Sequence, residues 1–170
     1  MKILTIHSDY IKFQPTKKAL KQAEEVEYKE VTVKECLIVL TSVEKSDENN
    51  PKEITNKLIE NIKDISDKVN TKNIVLYPYA HLSSNLSSPD IALSILKDTE
   101  SGLKKENFKV TRAPFGYYKK FEMKCKGHPL SELSREIKLE PTLKRVAKDD
   151  KFKLNQEKLT QEQKIKLTSA

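Results

Sequence analysis

The spacing of apolar residues divides the chain into alternating strands and amphipathic helices. Residues 2–10 carry Ile3, Leu4 and Ile6 in a short apolar run and read as a first strand. Residues 14–30 are polar and define no clear element. Residues 35–43 hold the unbroken stretch Cys36-Leu37-Ile38-Val39-Leu40, expected of a strand covered on both faces. A helix signal follows at once. Asn50 suits the cap, Pro51 the first helical position, and Glu53 the return position of a capping box. Ile54, Leu58, Ile62, Ile65 and Val69 then form one apolar helical face.

The same alternation continues. Residues 73–79 predict a third strand, Ser88-Pro89-Asp90 repeats the capping logic, and Ala92, Ile95, Leu96, Thr99 and Leu103 give a second helix. Residues 108–115 and 118–125 predict two more strands, with Gly116 in a tight turn between them. Pro129 is expected to open a short final helix whose Leu130, Leu133 and Ile137 face inward. Two strand–helix–strand units plus further strands make this an α/β fold, a mixed β-sheet with flanking helices. Beyond about residue 140 the pattern weakens. Residues 1–140 read as the domain and 141–170 as a basic linker or the start of a following segment, with a short helix near 160–167.

Composition narrows the functional classes. The net charge is +7, and residues 141–170 hold eight Lys/Arg against four Asp/Glu, so more than half of the excess lies there. Such an excess permits nucleic-acid binding without demonstrating it, because lysine-rich surfaces also serve solubility. Two cysteines exclude a disulfide framework, and three glycines exclude collagen-like and P-loop designs. No apolar run approaches the roughly 20 residues that span a bilayer, and no signal-peptide pattern opens the chain. The expectation is a soluble cytoplasmic protein.

Candidate chemistry concentrates in two stretches, 77–84 and 112–132, which hold four of the six tyrosines and two of the three glycines. Strand ends are where α/β sheets usually bind ligands. Period-two alternation puts Lys119, Phe121, Met123 and Cys125 on one face of their strand and Lys120, Glu122 and Lys124 on the wet one. Lys119 thus projects to the apolar side at the strand's start. There it either snorkels to solvent or, partly desolvated, donates to an ester carbonyl. His81 follows the third strand and either orients a substrate hydroxyl or caps a turn. Glu132 either pairs locally with Arg135 or reaches a ligand amine. Cys125-x-x-His128 is half of a zinc spacing with no second half, so no metal is expected. His7-Ser8-Asp9 has triad residue types without triad geometry. Cys125 alternates inward, which favours packing over nucleophilic chemistry.

Several segments in register resemble one family. They are Ile6-His7-Ser8-Asp9-Tyr10, Val43-Glu44-Lys45-Ser46-Asp47-Glu48-Asn49-Asn50-Pro51, Tyr77-Pro78-Tyr79-Ala80-His81-Leu82-Ser83-Ser84, Ala113-Pro114-Phe115-Gly116-Tyr117-Tyr118-Lys119 and Cys125-Lys126-Gly127-His128-Pro129-Leu130-Ser131-Glu132-Leu133-Ser134-Arg135. Over roughly residues 1–138 the chain resembles the N-terminal editing domain of archaeal threonyl-tRNA synthetase. The resemblance implies a D-aminoacyl-tRNA deacylase-like fold. It also implies hydrolysis of mischarged L-seryl-tRNA(Thr), with threonyl ester spared. One missing methyl gives a synthetic site only about 1–3 kcal/mol of discrimination, so a second site must destroy the wrong ester. In the family the 2′-hydroxyl of the tRNA's terminal adenosine assists the attacking water, and no cofactor is implied. By resemblance Lys119 contacts the seryl group and its water, and His81 lies beside the ribose and ester. Tyr118 and Glu132 form the nucleoside pocket with His128 nearby, and backbone at Val43, Pro78, Ala80, Phe115 and Gly116 lines it. The implied partners are the aminoacylated 3′ end of tRNA(Thr), a second copy in a homodimer, and a synthetase catalytic module in cis or in trans. Two other readings stand beside it, a trans-acting D-aminoacyl-tRNA deacylase and a non-catalytic tRNA-binding appendage.

Overall fold

The computed structural model describes residues 1–141, so the expected linker at 141–170 and its helix lie outside the described residues apart from residue 141. Among the described residues six strands and two α-helices form, besides two short 3-10 helices, in the order β1 Lys2–Lys18, β2 Val31–Ser42, α1 Pro51–Val69, β3 Asn73–Pro78, α2 Pro89–Lys105, β4 Lys109–Arg112, β5 Tyr117–Cys125 and β6 Glu132–Glu136. The sheet runs β4-β3-β2-β1-β5, with β6 also paired to β1. Strands β2, β3 and β4 are parallel and the other pairings antiparallel, so the sheet is mixed as expected.

Both helices form where their stripes predict. In α1 the buried residues include Ile54, Leu58, Ile62, Ile65 and Val69. Each such side chain contributes roughly 1.5–3 kcal/mol when fully buried. Asn50 Oδ1 accepts from the Glu53 N–H at 3.2 Å, and Glu53 returns the contact to the Asn50 side-chain amide at 3.0 Å. At α2 the capping expectation fails. Ser88 makes no side-chain cap, and its N–H donates to Glu48 Oε1 at 2.7 Å. The helices pack on one sheet face against Ile3, Leu37, Val39, Ile74 and Leu76. A second cluster, with Ile11, Phe13, Ile38, Val75 and Tyr77, fills the other face.

Two expectations about strands are corrected. β1 runs to Lys18, so the unassigned stretch from residue 14 begins as strand, paired with β5. The final helix does not form. Residues 132–136 are β6, which completes the open edge of β1 at Lys2–Ile6. Leu133 and Ile137 still turn toward the helix-side core, whereas Leu130 is exposed. Phe13 of β1, Tyr77 of β3 and Phe121 of β5 stack edge to face at 5.9 and 5.7 Å. β3 and β5 are not sheet neighbours, so this contact requires the sheet to curl around the second cluster.

Candidate active site

The curl brings the start of β5 against the end of β3. Lys119 projects into the concave side, as its alternation predicts. Its Nζ donates to the carbonyls of Pro114 at 2.8 Å and Tyr117 at 3.0 Å, and lies 5.1 Å from the centre of the Tyr77 ring. Burial alone pulls the ammonium's pKa down to about 8. An ammonium has three N–H donors, and two are taken by backbone, which leaves one to aim at a bound ester. Tyr77 is itself buried, and desolvation raises its phenol to about 12, so it stays neutral.

From Tyr77 the contacts continue to Tyr79 at 6.4 Å and from Tyr79 to His81 at 5.2 Å between ring centres. His81 is exposed and sits in a short 3-10 turn, Ala80–Leu82, directly after β3. The turn is tied down on both sides. The Tyr79 N–H donates to Thr41 O at 2.8 Å, and the Ser83 hydroxyl donates to Glu44 Oε1 at 2.5 Å. Glu44 Oε2 accepts from the Met1 ammonium at 3.0 Å. Burial opposes ionisation of Glu44, but the Ser83 hydroxyl and the Met1 ammonium hold its carboxyl below the usual range. Lys119, Tyr77, Tyr79 and His81 therefore form one connected set at the C-terminal ends of the parallel strands.

The remaining predicted residues divide. Pro78 and Ala80 flank Tyr79 at this corner. Gly116 has φ +78°, and its carbonyl accepts from Ala19 N at 2.8 Å and Leu20 N at 3.1 Å. A Cβ there would lie 3.0 Å from Ala23 Cβ, so glycine is required by conformation and by close approach. Val43 is buried in the helix-side core with its carbonyl taken by the Ser87 N–H, and Phe115 also packs toward that core. Glu132 is exposed on β6, opposite Ile6 of the second cluster, so it shares the sheet face of Lys119. It does not pair with Arg135, which bonds Asn61 at 2.9 Å and Asp64 at 2.6 Å instead. Tyr118 is 63% exposed on the opposite face of β5 from Lys119.

His128 is held elsewhere. Its Nε2 lies 2.7 Å from His7 Nδ1, while its Nδ1 accepts from the Leu130 N–H at 3.2 Å. His7 faces Leu37, a helix-side residue, so this pair lies away from Lys119. Cys125 Sγ contacts Ser131 Oγ at 3.4 Å. Among the described residues no three His, Cys, Asp or Glu side chains converge on a metal position.

Sequence reasoning did not single out Tyr77 or Glu44. Tyr77 ends an apolar run and reads as core, and Glu44 sits in a polar loop whose role depends on Met1 and Ser83, far apart in sequence. The signal for Tyr77 was Tyr77-Pro78-Tyr79, an aromatic pair at period two beside a strand end.

A buried ammonium beside an aromatic wall and an exposed histidine, on strand ends of a mixed α/β sheet, suits a site that stabilises developing negative charge, as in ester hydrolysis. Comparison with known proteins agrees with that class. A family model described as the archaea-specific editing domain of threonyl-tRNA synthetase matches residues 1–137, and the chain belongs to this family. Its members are deacylases that hydrolyse mischarged aminoacyl-tRNA. The chain is 53% identical over 139 residues to the threonine–tRNA ligase of Thermococcus sibiricus, covering 81% of this chain and 22% of the relative. It is 49% identical over 154 residues to that of Methanocaldococcus jannaschii, covering 91% and 25%. The chain thus spans about a quarter or less of these relatives. Among solved structures, a c-Myc DNA unwinding element binding protein superposes with a TM-score of 0.57 at 11% identity, covering 82% of this chain and all of that one. That likeness is one of fold, and the expected mixed sheet with flanking helices is the architecture found. Among the described residues no helix is long and apolar enough to cross a membrane.

Proposed function

We propose that this domain hydrolyses L-seryl-tRNA(Thr) and spares L-threonyl-tRNA(Thr), with Lys119 and His81 at the reacting ester. The observation that carries the reading is the Lys119 ammonium, held by two backbone carbonyls, with no opposing carboxylate among the described residues and only partly solvated. At pH 7 it remains largely protonated, and its third N–H can stabilise the charge that develops on the ester oxygen. Such a fixed donor in a low-dielectric site is worth more than in water.

An aminoacyl ester is already activated, so positioned water and a stabilised oxyanion suffice. Water adds to the carbonyl carbon, the bond to the ribose oxygen breaks, and that oxygen takes a proton. The 2′-hydroxyl of the terminal adenosine orients the water, and His81 lies beside the ribose. Sparing of threonine in this reading requires the site to exclude the extra methyl, a steric sieve complementary to the synthetic site. Tyr118, Glu132 and His128 belong to the nucleoside end of the site in this reading, although His128 must leave His7 to reach it. Backbone at Val43, Pro78, Ala80, Phe115 and Gly116 forms its rim.

The partners are the aminoacylated 3′ end of tRNA(Thr), a synthetase catalytic module in cis or in trans, and a second copy of the chain, in the cytoplasm where tRNA is charged. Exposed Phe121 and Leu130 offer apolar surface for that second copy, and light scattering on the purified chain tests the dimer. The function is tested by following deacylation of L-seryl- and L-threonyl-tRNA(Thr) by the wild-type chain and Lys119→Met. Rapid loss of serine in the wild type only is expected. Preferential loss of a D-amino acid would assign the chain to D-aminoacyl-tRNA deacylation, and tRNA binding without hydrolysis to a binding appendage.

A further inference from the structure

We propose that the outer face of β1, β2 and β5, beyond the reach of the helices, binds the phosphate backbone of the tRNA acceptor arm. The proposal rests on the editing reading and adds the surface that delivers the 3′ end to Lys119.

The face is created by a switch in both central strands. Up to His7 on β1 and from Leu37 on β2, one set of side chains faces the helices. At Asp9 and Glu35, where Glu35 has φ +46°, both strands change which residues point inward. Beyond that point Ile11, Phe13 and Val33 fill the concave cluster. Their neighbours turn to the other face, past the last helix-side residue. The register places them in rows: Lys34–Tyr10–Lys124, then Thr32–Lys12–Glu122, then Gln14–Lys120, then Lys17–Tyr118. Directly opposed residues share a face, so five lysines lie on one antiparallel surface.

The charge there is mostly uncompensated. Lys12, Lys17, Lys34 and Lys120 have no ion-pair partner among the described residues. Lys124 lies 3.5 Å from Asp9, but Asp9 is held more closely by Lys126 at 2.7 Å. The carboxylate within the rows, Glu122, accepts from the Tyr10 hydroxyl at 2.5 Å. Rows repeat about every 6.6–6.8 Å along the strands and about 4.7–4.9 Å across them, a lattice of point charges that a chain of phosphates can follow.

The edge position of β5 connects this face to the site. Tyr118 ends the last lysine row on the outer side, and the next residue, Lys119, enters the concave side. A single strand crossing this edge finds an exposed aromatic ring for stacking and then the ammonium. A double-stranded stem lies on the lysine rows and its unpaired 3′ end passes Tyr118.

The test uses the full chain and a deacylated RNA minihelix with the acceptor stem and 3′ overhang. Binding is read by fluorescence anisotropy from 50 to 200 mM salt. Lys12→Gln/Lys34→Gln/Lys120→Gln is compared with a control on other surfaces, Lys52→Gln/Lys105→Gln/Lys109→Gln. The face variant should lower the slope of log affinity against log salt by about three and weaken binding on the order of tenfold or more at the low-salt end. The control should move neither by as much. Hydrolysis of seryl-adenosine, which lacks the stem, should be unchanged in the face variant. An unaltered slope, an equal loss in the control, a parallel loss of seryl-adenosine hydrolysis, or no salt-dependent binding by the wild type overturns the proposal. A wild-type chain that hydrolyses no seryl ester overturns the editing reading alone, and anisotropy then judges the surface by itself.

Discussion

Replacing Lys119 by methionine should make the folded domain more stable while removing its activity. Burial lowers the Lys119 pKa from 10.5 to about 8. At about 1.4 kcal/mol per tenfold, holding the ammonium in the folded state at neutral pH costs about 3 kcal/mol. The bonds to the Pro114 and Tyr117 carbonyls and the contact with Tyr77 are lost with the ammonium, which offsets part of the gain. Lys119→Met should therefore be about 1–2 kcal/mol more stable than wild type at pH 7. For a domain of this size each kcal/mol moves Tm by about 2–4 °C. The sign depends on pH. Between pH 8 and 10.5 the unfolded chain keeps the lysine proton while the folded chain releases it. Wild-type stability thus gains from this group as pH rises through that window, and below pH 8 the whole cost stands. The variant lacks the group, so its advantage should be largest at pH 7 and shrink toward pH 10.5. Urea unfolding of both proteins at pH 7 and pH 10 measures this. A variant less stable at pH 7, or a gap that ignores pH, would refute the assignment of Lys119 as a strained functional ammonium.

Other substitutions separate positioning from packing. Gly116→Ala forces a side chain into φ +78° against Ala23 and should cost about 1–3 kcal/mol, read as a lowered urea midpoint. Glu44→Gln weakens the hold on Ser83 and the His81 turn. It should lower kcat for seryl-tRNA more than it raises KM, and a purely structural role would change thermal stability without that split. Burial, then His128 and Lys126, lower the His7 pKa against the opposing pull of Glu35 and Asp9. The unfolded chain therefore takes up this proton first, and stability should fall as pH drops below about 6.5. His128→Gln should flatten that dependence in thermal melts at pH 5 and pH 7.

The parallel half of the fold was readable because each of its elements carries one strong period. β2 and β3 are continuous apolar runs, and α1 and α2 have single apolar stripes. The antiparallel half was harder for identifiable reasons. Pro15 discourages a strand reading, yet it lies past Phe13–Val31, the last pairing with β2, where its missing N–H breaks no ladder on that side. In β6 and the residue just after it, the inward set is Leu133, Arg135 and Ile137. The arginine hides the period of two, and Leu130, Leu133 and Ile137 then imitate a helix. The open edge of β1 decides the matter, a tertiary effect invisible in local propensity. The same split runs through the site. Lys119 and Phe121 face inward together as alternation predicts, but Tyr77 reaches them from β3, across a curled sheet. His128 belongs to a contact with His7 that no spacing rule announces.

The central claim is selective ester hydrolysis at Lys119, and a paired deacylation assay on the purified chain tests it most directly. L-seryl-tRNA(Thr) should be hydrolysed rapidly and L-threonyl-tRNA(Thr) left intact, with serine release abolished in Lys119→Met. Equal hydrolysis of both esters, or undiminished serine release by the variant, would contradict the account.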